Sequence, residues 1–169
     1  KKKNKNFILW SEEFNNDLSS DLKQSGYGFY TGGIWDLWDD NSYSSVNFNK
    51  RLLECITGEI PSLSCTEMAD TPRSMQTMGL LKCQAATVVT ALLPNTVYFI
   101  NNAQEFAEKQ PMNLGLNNSE KGRFVLSKKH PLYGKLAFFD KYYFDWKNRK
   151  YMYDAIKTAL TLRNRYSDV

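Results

Sequence analysis

Four short runs of aromatic and β-branched residues, each followed by a helix-like segment, constrain this chain more than any other feature. NFILW at 6–10 stops at SEEFNND, where serine, asparagine and aspartate favour a turn and a helix cap. A short helix is predicted from Asp17 to Gln24, closed by the glycines of SGYG. GFYTGGIW at 28–35 reads as a second strand leading into the aromatic loop IWDLWDDNSYSS, where Ser44 or Ser45 opens the next helix. VNFNKRLLECITG at 46–58 has apolar residues at helical spacing and a closing glycine, which predicts that helix. The third strand is the apolar stretch SLSC after the GEIP turn, and SMQTMGLLKCQAATVVTALLPN at 74–95 reads as one buried helix stopped by Pro94. TVYFINN at 96–102 is short, β-branched and aromatic, the clearest strand of the four. An irregular region rich in glycine, proline and polar residues runs over about 103–148, and RKYMYDAIKTALTLRNRY closes the chain as an amphipathic helix.

Strands alternating with helices of this length imply an α/β fold, a parallel sheet joined by right-handed crossovers. No glycine-rich phosphate fingerprint follows any strand, which removes a nucleotide-binding doubly wound sheet. The other parallel architecture is the (β/α)8 TIM-barrel, of which four βα units are half. The expectation is one partial barrel domain over 1–169, with a long insertion after the fourth strand at about 103–148.

Charge and cysteine usage narrow the functional classes. The 22 lysines and arginines are interspersed with 18 acids for a net charge of +4, which is not a nucleic-acid footprint. Four lysines crowd the first six residues, read as a solvated end. No apolar run approaches the roughly 18–20 residues that span a bilayer, so no membrane partner is expected. Three cysteines, Cys55, Cys65 and Cys83, form no CxxC pair and read as free thiols of a reducing compartment, which leans the localisation to the cytoplasm. The single histidine, His130, lies in the polar stretch SKKHPLYG, so a Ser-His-Asp triad or a histidine-rich metal site is not expected. No clustered Asp/Asn loop offers oxygen ligands at calcium spacing, and neither a metal nor a cofactor is expected.

In a parallel barrel the residues just past the carboxyl ends of the strands build the site. Here those ends read Ser11-Glu12-Glu13, then Glu67 and Asp70, then Asn101-Asn102 with Gln104-Glu105. Acids at helix N-termini also suit the helix dipole without doing any chemistry, so composition leaves both readings open.

Three of these strand ends carry a resemblance. FILWSEEF resembles the fifth-strand motif of the α-amylase family of retaining glycoside hydrolases, a glutamate, any residue, then an aromatic, which matches Glu12 to the family's general acid/base. TEMADTPR resembles the seventh-strand motif, Asn-His-Asp followed by Thr and Arg, and matches Asp70 to the transition-state-stabilising aspartate. NTVYFINNAQEF resembles the eighth strand, with Ala103-Gln104-Glu105 at its end. AEKQPMNLGL and YGKLAFFDKYYFDW look like the following loop of maltosyltransferase-like and related intracellular members that act on α-1,4-glucans. The similarity runs in order through essentially the whole chain.

The resemblance implies the C-terminal half of a catalytic barrel, with the nucleophilic aspartate in a missing N-terminal half, and an α-1,4-linked glucan or maltooligosaccharide as substrate. Retaining glycosidases use two carboxyl groups about 5 Å apart, one as nucleophile and one as acid then base. The acid starts protonated, a state favoured by apolar Trp10 and Phe14 and by the neighbouring acids Glu13 and Asp70. Asp70 would favour the oxocarbenium-like transition state, while Arg73 orients it or a neighbouring carboxylate. Gln104, Glu105 and Asn113 are further substrate-binding candidates, and the aromatics of 34–43 and 133–146 are candidate sugar platforms. Met68-Ala69 stands where the family has Asn-His, a departure that removes a sugar-binding histidine. A second expectation is a non-catalytic carbohydrate-binding or interaction module derived from such a barrel, whose isolated chain would bind maltoheptaose without turnover.

Overall fold

The computed structural model describes residues 4, 6–38, 45–144, 146–147 and 152–166, without the side chains of 45–47. Most of the lysine-rich start, the end of the aromatic loop at 39–44, and 148–151 ahead of the closing helix lie outside the described residues.

Four strands, β1 (Trp10–Ser11), β2 (Phe29–Tyr30), β3 (Ser62–Ser64) and β4 (Thr96–Tyr98), form one parallel sheet in the order β1-β2-β3-β4. Trp10 pairs with Phe29 and Ser11 with Tyr30. Tyr30 then pairs with Ser62, and Ser62, Leu63 and Ser64 face Thr96, Val97 and Tyr98. The helices are α1 (Ser19–Gln24), α2 (Ser45–Ile56), α3 (Ser74–Met78), α4 (Leu80–Ala91) and α5 (Tyr153–Arg165).

Half of a (β/α)8 TIM-barrel is therefore not the architecture, and that expectation is corrected to a small four-stranded, all-parallel α/β sheet. Barrel walls need strands long enough to tilt and stagger against both neighbours. Here two strands have two residues and two have three, and β2 meets β3 through the Tyr30–Ser62 pair. The apolar runs that promised longer strands spend their residues elsewhere. Phe7 and Ile8 are 71% and 67% exposed ahead of β1.

Helix packing supplies the core that so small a sheet cannot. On α2, Phe48, Leu52, Cys55 and Ile56 share one helical face and close over Ile34, Leu37 and Leu93. A second cluster joins Cys83 of α4 to Met152 and Ile156 beside and on α5, with Met78, Leu80 and Ile100 against it. Arg163 of α5 ties that helix to the sheet, donating from Nη1 to the Ala91 carbonyl at 2.6 Å and from Nη2 to the Thr96 carbonyl. The predicted single helix over 74–95 is broken because Gly79 turns to φ +72°, a conformation that costs glycine little, and this sets α4 off from α3.

From Ala103 to Phe144 the chain contains two short 3-10 turns, Gln104–Phe106 and Glu120–Phe124, and no strand among the described residues. Gln110, fully buried, anchors this region by donating from Nε2 to the carbonyls of Arg123 (2.5 Å) and Lys135 (2.7 Å).

Candidate active site

Because the strands are parallel, all four carboxyl ends open on one edge of the sheet, where ligands of open α/β sheets bind. Glu12 and Glu13 follow β1, Thr31 follows β2, Thr66 to Arg73 follow β3 and Asn101 to Glu105 follow β4.

Glu12 is exposed, and no hydrogen bond holds its carboxylate among the described residues. The apolar enclosure expected from its neighbours is not built, because each aromatic is engaged elsewhere. Trp10 stacks on Phe29 at 6.0 Å and donates its indole N–H to Thr31 Oγ1 at 3.1 Å, while Phe14 packs edge-on against Trp35. Glu13 serves the turn, its Oε1 accepting from the backbone N–H groups of Phe14 (2.9 Å) and Asn15 (2.8 Å).

Asp70 and Asn113, 43 positions apart in sequence, meet here. Asn113 Nδ2 donates to Asp70 Oδ1 at 2.6 Å, and Asn118 Nδ2 reaches the backbone carbonyls of Asp70 (3.4 Å) and Asn113 (3.2 Å). Gly115 lies so close that an added Cβ would stand 2.9 Å from Asp70 Cβ. The half-buried carboxylate is thus held from one side by the irregular region.

Arg73 belongs to a different carboxylate. Its Nη1 donates to Glu67 Oε1 at 2.8 Å and to the Asn102 carbonyl at 2.7 Å, and its Nε to the Gln110 carbonyl at 3.0 Å. Glu67 also accepts from Asn101 Nδ2 at 3.1 Å, and from the Ser74 N–H and hydroxyl at 2.7 Å each. Both side chains are shut off from solvent, and burial this deep is tolerable because the charges are paired and hydrogen-bonded. Sequence reasoning noted Glu67 only as a strand-end acid and missed this network. Its signal is an acid and an arginine either side of one tight turn, with a serine next to the arginine.

Gln104 and Glu105 diverge. Gln104 is buried, donating to Thr66 Oγ1 at 2.8 Å and accepting from the Asn101 N–H at 3.2 Å. Glu105 faces the other way, into a groove with Ile100, Tyr153 and Lys157.

A cleft opens at the carboxyl edge between Trp35 and Trp38 on one side and Thr66, Thr71 and Thr77 on the other. Asp36 and Asn117 border it, joined by a 3.1 Å hydrogen bond from Asn117 Nδ2, and Asp36 is also paired with Arg51 at 2.8 Å. Both indole N–H groups are buried without a partner among the described residues. With about 40 Å³ of accessible space the cleft is a narrow slot, well below the roughly 300 Å³ at which ligand pockets begin, so it offers an edge where indoles lie beside hydroxyls and amides rather than a ring-sized cavity. Among the described residues, no group of three His, Cys, Asp or Glu side chains gathers as a metal site requires.

No protein-family model matches the sequence, and no curated protein matches it at a significant level. Among solved structures, the chain is similar in fold to Amy13B of Eubacterium rectale, an amylase, with a TM-score of 0.55 and 10% sequence identity. The likeness covers 95% of this chain and 36% of that one, so the chain spans about a third of the length of the structure it matches. At that identity the likeness concerns the fold.

Proposed function

We propose that this chain is part of a retaining glycoside hydrolase or glucanotransferase acting on α-1,4-linked glucan or maltooligosaccharides. The observation that carries the proposal is the cleft of Trp35 and Trp38 at the sheet edge where such folds bind ligands, lined by Thr71, the residue that follows the Asn113-bound Asp70 in sequence. The fold likeness to an amylase supports it.

On this reading Trp35 and Trp38 receive the apolar face of a glucose ring, and Asp36, Thr66, Thr71 and Asn117 take its hydroxyls. Asp70, fixed by Asn113, faces the positive charge that develops at the anomeric carbon. Glu12 donates a proton to the leaving oxygen and then deprotonates water or an acceptor hydroxyl. Bound glucan supplies the enclosure that the exposed Glu12 lacks. The nucleophile of such a retaining reaction is a further carboxylate, a role to which no residue of this chain is assigned. Arg73 and Gln104 act on this site through the backbone they hold, since neither is open to substrate.

The exposure of Glu12 favours a second reading, a glucan-binding module without turnover. Calorimetric titration of the 169-residue chain with maltoheptaose tests what the two readings share. Saturable binding that Trp35→Ala removes is expected, and a flat titration overturns both. In a longer protein that hydrolyses maltooligosaccharides, Glu12→Gln separates them: turnover is abolished on the first reading and unchanged on the second.

A further inference from the structure

Beside the aromatic cleft, and sharing Pro72 and Asn117 with it, lies a second cleft of about 300 Å³ that the glucan reading does not use. Its volume reaches the lower end of ligand pockets, which run from about 300 to 1,000 Å³. Its polar lining is one-sided. Lys109 and Lys121 contribute ammonium groups, and Gln76, Asn118 and Ser119 contribute amide and hydroxyl groups. No aspartate or glutamate lines it among the described residues.

Neither acid next to these lysines in sequence lines the cleft. Glu108 Oε1 accepts from the backbone N–H groups of Lys109 (2.7 Å) and Gln110 (2.8 Å), and Glu120 lies 3.5 Å from Arg123. Neither lysine ammonium has a salt-bridge partner among the described residues. Behind them, Arg73 forms part of the cleft wall, and its Nη2 is buried without a hydrogen-bond partner among the described residues. Glu67 neutralises the charge of that guanidinium but leaves this edge of its donor fork unused. Two unpaired cations, several neutral donors and no acid form a wall that suits an oxyanion.

We infer that this cleft binds a phosphate dianion, either free or carried as a phosphomonoester on a sugar. Lys109 and Lys121 neutralise its charge, and Gln76 and Ser119 donate to its oxygens. The inference stands apart from the glucan reading, because it rests on charge and donors rather than on the tryptophans. The same neighbourhood nevertheless allows one ligand to span both clefts, with its ring on the indoles and its phosphate between the lysines.

The test is titration of the 169-residue chain with inorganic phosphate and with glucose 6-phosphate at low ionic strength, followed by amide chemical shifts. Saturable shifts at Lys109, Ser119 and Lys121 are expected, weakened by added sodium chloride because exposed charges are screened. The Lys109→Gln/Lys121→Gln variant should lose affinity at least tenfold, while Lys129→Gln, which removes an exposed charge elsewhere, should not. Both lysines are exposed, so the folded spectrum should survive the double substitution. Equal affinity for the two probes identifies free phosphate, and tighter binding of glucose 6-phosphate identifies the sugar-borne group. Absence of saturable binding, or an affinity unchanged in the double variant, overturns the inference. A parallel maltoheptaose titration reports on the glucan reading separately.

Discussion

Arg73 Nη1 stands 2.8 Å from Glu67 Oε1 with neither side chain open to solvent, and this pair pins the turn after β3 to the carbonyls of Asn102 and Gln110. Glu67→Gln leaves a buried guanidinium without its counter-charge, a loss of about 3–5 kcal/mol. Replacing both residues with apolar ones, Glu67→Leu with Arg73→Met, should cost clearly less than the sum of the two single changes. Urea unfolding of the four proteins closes the cycle. A single-variant loss below about 1 kcal/mol, the scale of an exposed pair, would contradict the assignment.

Asn113 holds the candidate stabilising carboxylate through a charge-assisted bond. Asn113→Ala should cost about 1.5 kcal/mol of stability and weaken maltoheptaose binding. Asn113→Asp should be worse near neutral pH, because two carboxylates then meet across a contact now 2.6 Å long, and should recover as the pH falls towards about 4. Thermal melts at pH 7 and pH 4 check the reversal; an Asn113→Asp loss that does not change with pH would refute it.

Gly115 packs its backbone against Asp70, two residues on from Asn113. A methyl group there would lie 2.9 Å from Asp70 Cβ and 3.1 Å from its carbonyl oxygen, so the two segments must separate. Gly115→Ala is expected to cost about 1–3 kcal/mol and to lower affinity for maltoheptaose. Calorimetric melting of the variant checks the first part, and an unchanged Tm would show that the loop yields freely.

Stability should fall in alkali. Burial pushes the Cys83 thiol from 9.0 to about 11 and the Tyr30 phenol from 10.0 to about 12, and raises Cys65, Tyr98 and Tyr142 as well. The folded state therefore keeps protons that the unfolded chain releases. This stabilisation is complete below the unfolded values and is lost as pH rises from about 9 through the folded values. Urea midpoints under reducing conditions should decline from pH 9 to 11, and absorbance at 295 nm should show tyrosines that ionise late. A flat midpoint over that range would count against the burial of these groups.

The helices were more legible than the sheet. For α2 and α5, apolar spacing located the elements to within a few residues, because a helix that buries one face must repeat it. Four parallel strands form at the expected runs, but their lengths misled, since an apolar run such as Phe7-Ile8-Leu9 reads the same whether it pairs in a sheet or lies open to water. Gly79 was visible in the sequence, but not the positive φ that splits the helix there. Ala103 and Ala107 take left-handed conformations at φ +71° and +58°, which no propensity of alanine foretells. Asp70 and Asn113 were both candidates in the sequence, but their contact depends on a tertiary approach across 43 positions. Glu67 was visible as a strand-end acid, but not as the buried partner of Arg73, because sequence does not distinguish a carboxylate sealed inside from one in water.

The Gln110 side chain offers a natural reporter on the strandless part of the chain. Its amide group sits fully buried between two carbonyls 12 residues apart, so both protons can leave for solvent only when Arg123 and Lys135 come away from it. In deuterated water, that one pair of signals would time the opening of the region that carries Asn113, Lys109 and Lys121.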